Sequence, residues 1–465
     1  IATQHSGTGK ANQYFLRGFN LDHGTDFAGF VDGVPVNMRS HGHGQGYLDF
    51  NFLIPELVER IDFAKGPYSA EAGDFSAAGT VRFTTVDALA RPFAEAIVGE
   101  FGYARGLVAG SFGLGGGTLL AALDGTVSNG VWELDEDLEK INGFLKYSQG
   151  TETRGFSLSA SLYDASWRST DQVPERAIAS GRIGRFGNID PFLFNSSTRL
   201  GLTGEARLGP TQITAYATYY RLRLNSNFTY FLDDPVNGDQ FQQRDRRGIY
   251  GGSIRHSLPS SLTGEALKVR LGADLRYDAI SDVGLFRSTR SVARETVRRD
   301  RVDEYSGALW AEAEYALTPR LRAVGAVRYD VIGFDVNAVS LPANGGDGSD
   351  GIFTPTAALA WRPVDGLELY ANYGESFHSN DVRGATITID PATGDPADRV
   401  PVFARARGYE LGARVESERF TASLVGYYLR LASELVFVGD AGTTEPNDAS
   451  GSAGSIPVSG GSRVR

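Results

Sequence analysis

Histidine is scarce in this chain, with six in 465 residues, and four of them fall at positions 5, 23, 41 and 43. Two lie in the segment Asn37-Met38-Arg39-Ser40-His41-Gly42-His43-Gly44-Gln45-Gly46-Tyr47-Leu48-Asp49. His41, His43, Gln45 and Tyr47 offer imidazole, amide and phenol groups among glycines that let a backbone approach closely. Three chemistries are open to such a loop. It can hydrogen-bond and stack on an organic ligand or metal chelate. It can bind a bare transition metal through the imidazoles, although two histidines at i and i+2 are a sparse ligand set. Or it is a Gly-rich turn with solvated histidines. Arg39 adds a guanidinium suited to a carboxylate or other anion. A second candidate contact surface is Asn227-Phe228-Thr229-Tyr230-Phe231, where Phe228 and Tyr230 either stack on a ligand or belong to an interfacial girdle.

No catalytic group emerges. There is no GxSxG elbow, no HExxH and no Ser/His/Asp grouping. His256 and His378 leave little for acid–base work. Cysteine is absent, which removes disulfides and thiolate metal sites. A net charge of −11 argues against nucleic acid as a partner. No enzyme, no cofactor and no resident metal is expected.

The elements that must position these loops differ along the chain. Residues 1–86 are short apolar runs broken by Gly, Asp, Pro and His. From residue 93 onward the chain alternates between apolar and polar residues. In 267–278, Leu267, Val269, Leu271, Ala273, Leu275 and Tyr277 fall on one side of a strand. Lys268, Arg270, Asp274, Arg276 and Asp278 fall on the other. The same sorting recurs in 309–317, 321–330, 367–373 and 409–416. About fourteen segments of this kind lie between 93 and 432, each near the length of a membrane-spanning strand. No run of apolar residues is long enough for a spanning helix. Tight connections such as Leu317-Thr318-Pro319-Arg320 alternate with long polar stretches at 165–195, 225–247, 279–301, 334–351 and 376–405. Short turns at one end and long loops at the other are the arrangement of an outer-membrane barrel. A soluble antiparallel protein would also alternate, but the mixed Leu, Val, Ala and Gly face with Tyr near strand ends favours lipid.

Four elements occur in order near the start. They are Leu16-Arg17-Gly18-Phe19, Val31-Asp32-Gly33-Val34-Pro35-Val36, Glu59-Arg60-Ile61 running to Lys65-Gly66-Pro67, and Ala78-Gly79-Thr80-Val81-Arg82-Phe83-Thr84-Thr85. Together they resemble the plug of TonB-dependent outer-membrane receptors. Asp32-Gly33 is also a turn signal, and Gly66-Pro67 a strand end. Glu59, Arg60, Asp62 and Lys65 put charges of both signs on a short segment, for contact with a water-lined wall or as a solvated strand edge. Two further stretches, 167–176 with 184–187 and 434–442, look like a subfamily pattern with no substrate attached to it.

The resemblance implies a mostly β chain: a partial plug domain (α+β) over 1–88 and an incomplete antiparallel transmembrane β-barrel over 93–440. About fourteen of an expected twenty-two strands would be present, followed by an irregular tail over 441–465. A signal peptide, the TonB box, the first part of the plug and the closing strands are expected to lie outside this sequence. The resemblance places the 37–49 loop at the outer apex of the plug. It implies import of a scarce ligand, foremost a ferric siderophore or other metal complex, across a Gram-negative outer membrane. The partners would be TonB, outer-membrane lipid and the small ligand. A passive porin or adhesin barrel is the alternative.

Overall fold

The computed structural model describes residues 1–4, 9–151, 153–417, 420–433, 435–438, 443–446 and 450–456. His5, Glu434 and residues 439–442 of the sequence patterns above lie outside the described residues.

The alternating region forms one sixteen-stranded antiparallel sheet in which sequence neighbours are spatial neighbours, from Phe93–Val98 to Thr421–Leu431, with Ser450–Ile456 added at the far edge. The first and last strands do not pair, so the wall is open among the described residues. Fifteen of these strands lie between Phe93 and Leu431, where alternation suggested about fourteen. The short Phe93–Val98 strand has only six residues, below the spanning length on which that count rested.

Side-chain exposure is inverted relative to a water-soluble sheet. Leu275, Leu309 and Leu411 are 68%, 69% and 69% exposed, while Arg276, Asp278 and Glu304 on alternate positions are 9%, 0% and 1% exposed. Tyr250, Tyr305, Tyr329, Tyr409 and Tyr428 stand on the outward face. Tyr277 and Tyr305 stack at 4.8 Å between ring centroids with 4° between planes. An apolar exterior with aromatic residues and a polar interior matches a wall facing hydrocarbon on one side and water on the other.

At one end the connections are tight: residues 115–116, 209–210, 319–320 and 365–366. Gly115 and Gly116 have φ of 57° and 84°, as a two-residue hairpin with the right twist requires. At the other end lie 129–137, 169–193, 227–240, 339–345 and 380–402. Two of the stretches read as long loops are mostly strand. Leu267–Thr289 and Val292–Thr318 meet at a two-residue turn, and Gly346–Val364 begins within 334–351. Their polar composition hides continued pairing, because a ladder that projects beyond the apolar band can be polar on both faces. Arg287 and Glu295, for example, approach to 3.7 Å across that hairpin.

The tail is also more regular than its composition suggested. Thr443–Pro446 and Ser450–Ile456 are strands, and the latter pairs with Thr421–Leu431. An unpaired strand edge presents backbone donors and acceptors that any extended segment can satisfy, including one rich in Ser, Gly and Ala.

The first 86 residues build a small four-stranded sheet inside the curved wall, from Phe27–Val31, Val34–Pro35, Val58–Lys65 and Gly79–Thr85. Asp32 and Gly33 form the expected turn with φ of 46° and 77°. The Asp32 carboxylate accepts from the Thr85 backbone N–H at 2.8 Å and its hydroxyl at 2.6 Å. Tyr14, Phe19, Leu21, Phe27, Val36, Leu48 and Val81 form the core, which continues into Ala406, Leu429 and Leu431 of the wall. Gly66-Pro67 seats against wall glycines. A Cβ at Gly374 would lie 1.9 Å from the Pro67 carbonyl oxygen, and one at Gly408 would lie 2.7 Å from the Pro67 ring.

Candidate functional site

The 37–49 loop is held from within and from above. The Asn37 side chain accepts from Gly29 N–H at 2.9 Å and donates to the carbonyls of Gly24 and Gly46 at 3.0 Å each, which fixes the loop's base. Arg39 donates through Nε to Asp74 at 2.7 Å and through Nη1 to Ser306 Oγ at 2.7 Å. Ser40 Oγ donates to Glu304 at 3.0 Å, and the Gly42 N–H donates to Asp245 at 3.1 Å. A Cβ on Gly42 would stand 2.4 Å from the Arg244 carbonyl oxygen, so only glycine permits this approach to the wall. Gln45 donates to Asn380 Oδ1 at 2.9 Å and accepts from the Asp381 N–H at 2.7 Å. His43 Nδ1 lies 2.9 Å from Gln243 Oε1, and the Tyr47 hydroxyl accepts from the Ala11 N–H at 3.0 Å.

Arg39, His41, His43, Gln45 and Tyr47 are therefore all buried, with exposures of 8%, 2%, 2%, 6% and 1%. The segment after Ser379 bonds to two residues of the same loop, Ser40 and Gln45. It carries the short helix Val382–Thr386, whose N-cap Asp381 accepts from the Arg383 N–H, while the Val382 N–H donates to Ser40 Oγ at 3.0 Å. Burial and neighbouring Arg383 set opposite trends on Asp381: burial pushes its carboxyl up, the arginine pulls it down, and the balance lies below the ordinary value.

The structure brings His41 and His43 together with His23, Tyr47 and Tyr220. His41 stacks on Tyr47 at 4.3 Å with 15° between planes, and His23 lies 4.8 Å from His43. Tyr220 lies 5.6 Å from His41. Burial pushes His41 and His23 down to about 3, and His43 well below the ordinary value. At neutral pH the cluster is uncharged and packs as an aromatic group. Among the described residues, no three His, Asp or Glu side chains are gathered as a metal-ligand set, and His41 Nε2 is 4.0 Å from its nearest carboxylate, Asp245. Alternation puts Tyr220 on the inner face of Thr211–Ser226, but nothing in the sequence pairs it with His41.

Phe228 and Tyr230 lie apart from this cluster, in the 227–240 loop. Tyr230 is 6% exposed and works as an anchor: its hydroxyl donates to the Gln172 carbonyl at 2.6 Å. Phe228 lies 5.8 Å from Phe241 and lines an outer cleft of about 420 Å³ with Asp233, Asp239, Arg287 and Arg294. The apolar groups most open to solvent here are Phe231, Leu232 and Val236, at 53%, 71% and 84% exposed.

Of the plug elements, Arg17 and Gly18 form a positive-φ pair, with φ of 54° and 86°. The Arg17 guanidinium pairs with Glu410 of the wall and lies 4.5 Å from the Tyr427 ring centroid. Glu59, Arg60 and Lys65 are exposed on Val58–Lys65, and Arg60 pairs with Asp62 at 2.8 Å. Among the described residues, the ion pair these charges make is within their own strand. Wall contact falls instead to Glu71, which lies 2.9 Å from Arg255 and 3.5 Å from Arg270.

A plug-domain family model, TonB-dependent Receptor Plug Domain, matches residues 1–80, and the model for the TonB dependent receptor-like beta-barrel matches residues 131–465. The chain belongs to the TonB-dependent receptor family. Solved structures of similar fold include the copper transporter OprC, at 14% identity and a TM-score of 0.72, over 97% of this receptor chain and 70% of that one. The unliganded ferric citrate transporter FecA matches at 16% identity and 0.68, over 93% of this chain and 65% of that one. The FrpB iron transporter from Neisseria meningitidis matches at 15% identity and 0.68, over 97% and 71%. At these identities the likeness concerns fold, and the receptor chain spans about two thirds of their lengths.

Proposed function

We propose that this chain is the plug and much of the wall of an outer-membrane importer that takes up a metal complex, foremost a ferric siderophore, with energy supplied through TonB. The observation that carries the reading is the plug's mode of attachment inside an inverted wall. The plug lies inside the wall and is tied to it by polar contacts such as Arg39–Ser306 and Ser40–Glu304 and by the ion pair Arg17–Glu410. Polar contacts can be exchanged for water as a plug moves, whereas an unbroken apolar seam would have no such replacement partner. Such a plug can seal the channel and still be rearranged by an applied force. No ATP is available at an outer membrane, which is why a partner reaching from the inner membrane would be needed.

The outer cleft beside Phe228, with Arg287 and Arg294, is the first contact in this reading. Arg39, His41, His43, Gln45 and Tyr47 would become available only after the 380–402 segment lifts from Gln45 and Ser40. None of these residues is assigned a catalytic role. A passive porin would have no use for a plug bonded at so many points to the wall.

The test is uptake of radiolabelled iron as ferric citrate and as a ferric catecholate by cells carrying the intact gene, with and without TonB. Uptake should need both the gene and TonB. Equal uptake without TonB would replace this reading with the passive pore. The bare-metal variant has its own check, since replacing His41 and His43 with Ala should then abolish copper or zinc titration of the purified protein.

A further inference from the structure

Two voids inside the wall lie along the same pair of strands, and one short piece of the plug separates them. The first, of about 80 Å³, lies between plug and wall, with Arg39, Glu71 and Asp74 on one side and Ser306, Arg328 and Asp330 on the other. The second, of about 640 Å³, lies nearer the tight turns and is lined by Glu314, Arg322, Val324, Glu368 and Arg414. Strand periodicity shows how close they come. The inward residues of Leu321–Ala338 run Arg322, Val324, Ala326, Arg328 and Asp330. The first two line the wide void and the last two the narrow one, so on this strand Ala326 alone lies between. Val324 and Arg328 are about 13 Å apart along a strand. On the neighbouring Val292–Thr318, Glu314 faces the wide void and Ser306 and Ala308 the narrow one, with Trp310 and Glu312 between.

Ala70 of the plug packs with Trp310 and Ala326 in one buried cluster, at the point that divides the voids. The segment that carries it, residues 68–73, is otherwise held by polar contacts. Arg328 Nη1 donates to the Ala70 carbonyl at 3.2 Å, and Glu71 meets Arg255 and Arg270 of the wall at 2.9 and 3.5 Å. Gly66 and Gly73 bracket the segment with φ of 84° and 65°, the conformational freedom that a hinge uses. Elsewhere the plug meets the wall through apolar seams: Leu57 with Leu107 and Leu120, and Phe19, Leu21 and Val36 with Leu429 and Leu431. Parting an apolar seam exposes its area to water, whereas the bonds of 68–73 can be remade with water.

We infer that residues 68–73 are a local gate, whose displacement joins the two voids into a route along Val292–Thr318 and Leu321–Ala338 while the rest of the plug stays seated. Guanidiniums and carboxylates line both voids, which suits a charged, strongly hydrated solute. This rests on the import reading above.

The experiment measures potassium chloride conductance of the intact gene product in planar lipid bilayers. This chain has no cysteine, so thiols introduced into it react only with each other. Glu71→Ala frees the segment from Arg255 and Arg270, and should conduct about tenfold more than the parent, the effect of one lost charge-assisted contact on an opening equilibrium. In Glu71→Ala carrying Ala70→Cys and Ala326→Cys, oxidation to the disulfide should return conductance to the parental level, and dithiothreitol should raise it again. In Glu71→Ala carrying Leu57→Cys and Leu107→Cys, oxidation should change nothing. Reversal by reductant within one preparation separates gating from misfolding. Parental conductance in Glu71→Ala would overturn the inference, as would conductance that stays high with the 70–326 disulfide closed. Equal closure by both disulfides would also overturn it, since the plug would then move as one body. If iron uptake by the parent proves independent of TonB, the import reading falls, while the bilayer result still decides whether 68–73 is the piece that moves.

Discussion

The two faces of the strand Val292–Thr318 and its neighbours put opposite demands on the same backbone. Outward, Leu309 is 69% exposed and Tyr305 52%, with no polar partner needed. Inward, Glu304 is 1% exposed and meets Ser40 of the plug, while the neighbouring Asp278 is 0% exposed between Arg247 and Arg276. One face tolerates almost any apolar residue, because lipid has no fixed shape to match. The other is a set of specific pairings, in which each charge depends on a partner far away in sequence.

That contrast can be broken most strongly on the inner face. Arg247 donates to both Asp245 oxygens, at 2.8 and 2.6 Å, and to the backbone carbonyls of Arg39 and Ser40 at 2.6 and 3.1 Å. Arg247→Ala leaves Asp245 and Asp278 buried without it, a loss of about 3–5 kcal/mol. Denaturant titration combined with protease cleavage of the 37–49 loop should show a freed plug. A wild-type midpoint would mean water already shares this network. On the outer face, Leu309→Arg should cost about 2–4 kcal/mol in vesicles, the range for a cation at lipid depth. The same substitution should cost almost nothing if that face meets water.

A smaller effect separates the histidine cluster from the arginine pairs. His41 has its pKa depressed on folding by burial, so the folded chain binds fewer protons than the unfolded one below the ordinary histidine value. Its contribution is fully present near neutral pH and is lost as pH falls from about 6.5 toward 3. Relative to pH 7, this amounts to about 2 kcal/mol at about pH 5. His41→Gln should flatten that part of the stability curve, measured by denaturant midpoints across the range. An unchanged slope would place the proton elsewhere, with His23 next in line.

Much of this architecture was legible in the residues. Alternation at Leu267–Asp278 named the outward and inward side chains correctly, because strand geometry fixes a period of two regardless of context. Asp32-Gly33 announced its turn, and Gly66-Pro67 its strand end, for equally local reasons. The polar hairpin joining Leu267–Thr289 to Val292–Thr318 looks like a loop in the sequence, since pairing there leaves no hydrophobic trace.

What the chain could not announce was coverage. Nothing near Ser40 or Gln45 reveals that Asn380, Asp381 and Val382 bond to them, or near His41 that Tyr220 packs beside it. Nor do Arg221 and Arg223 disclose that they face Arg246 and Arg244. Local sequence determines the conformation of a strand or turn and the side to which each residue points. Which distant groups meet there depends on how the sheet curves and where its loops fold back, and only the assembled structure decides that.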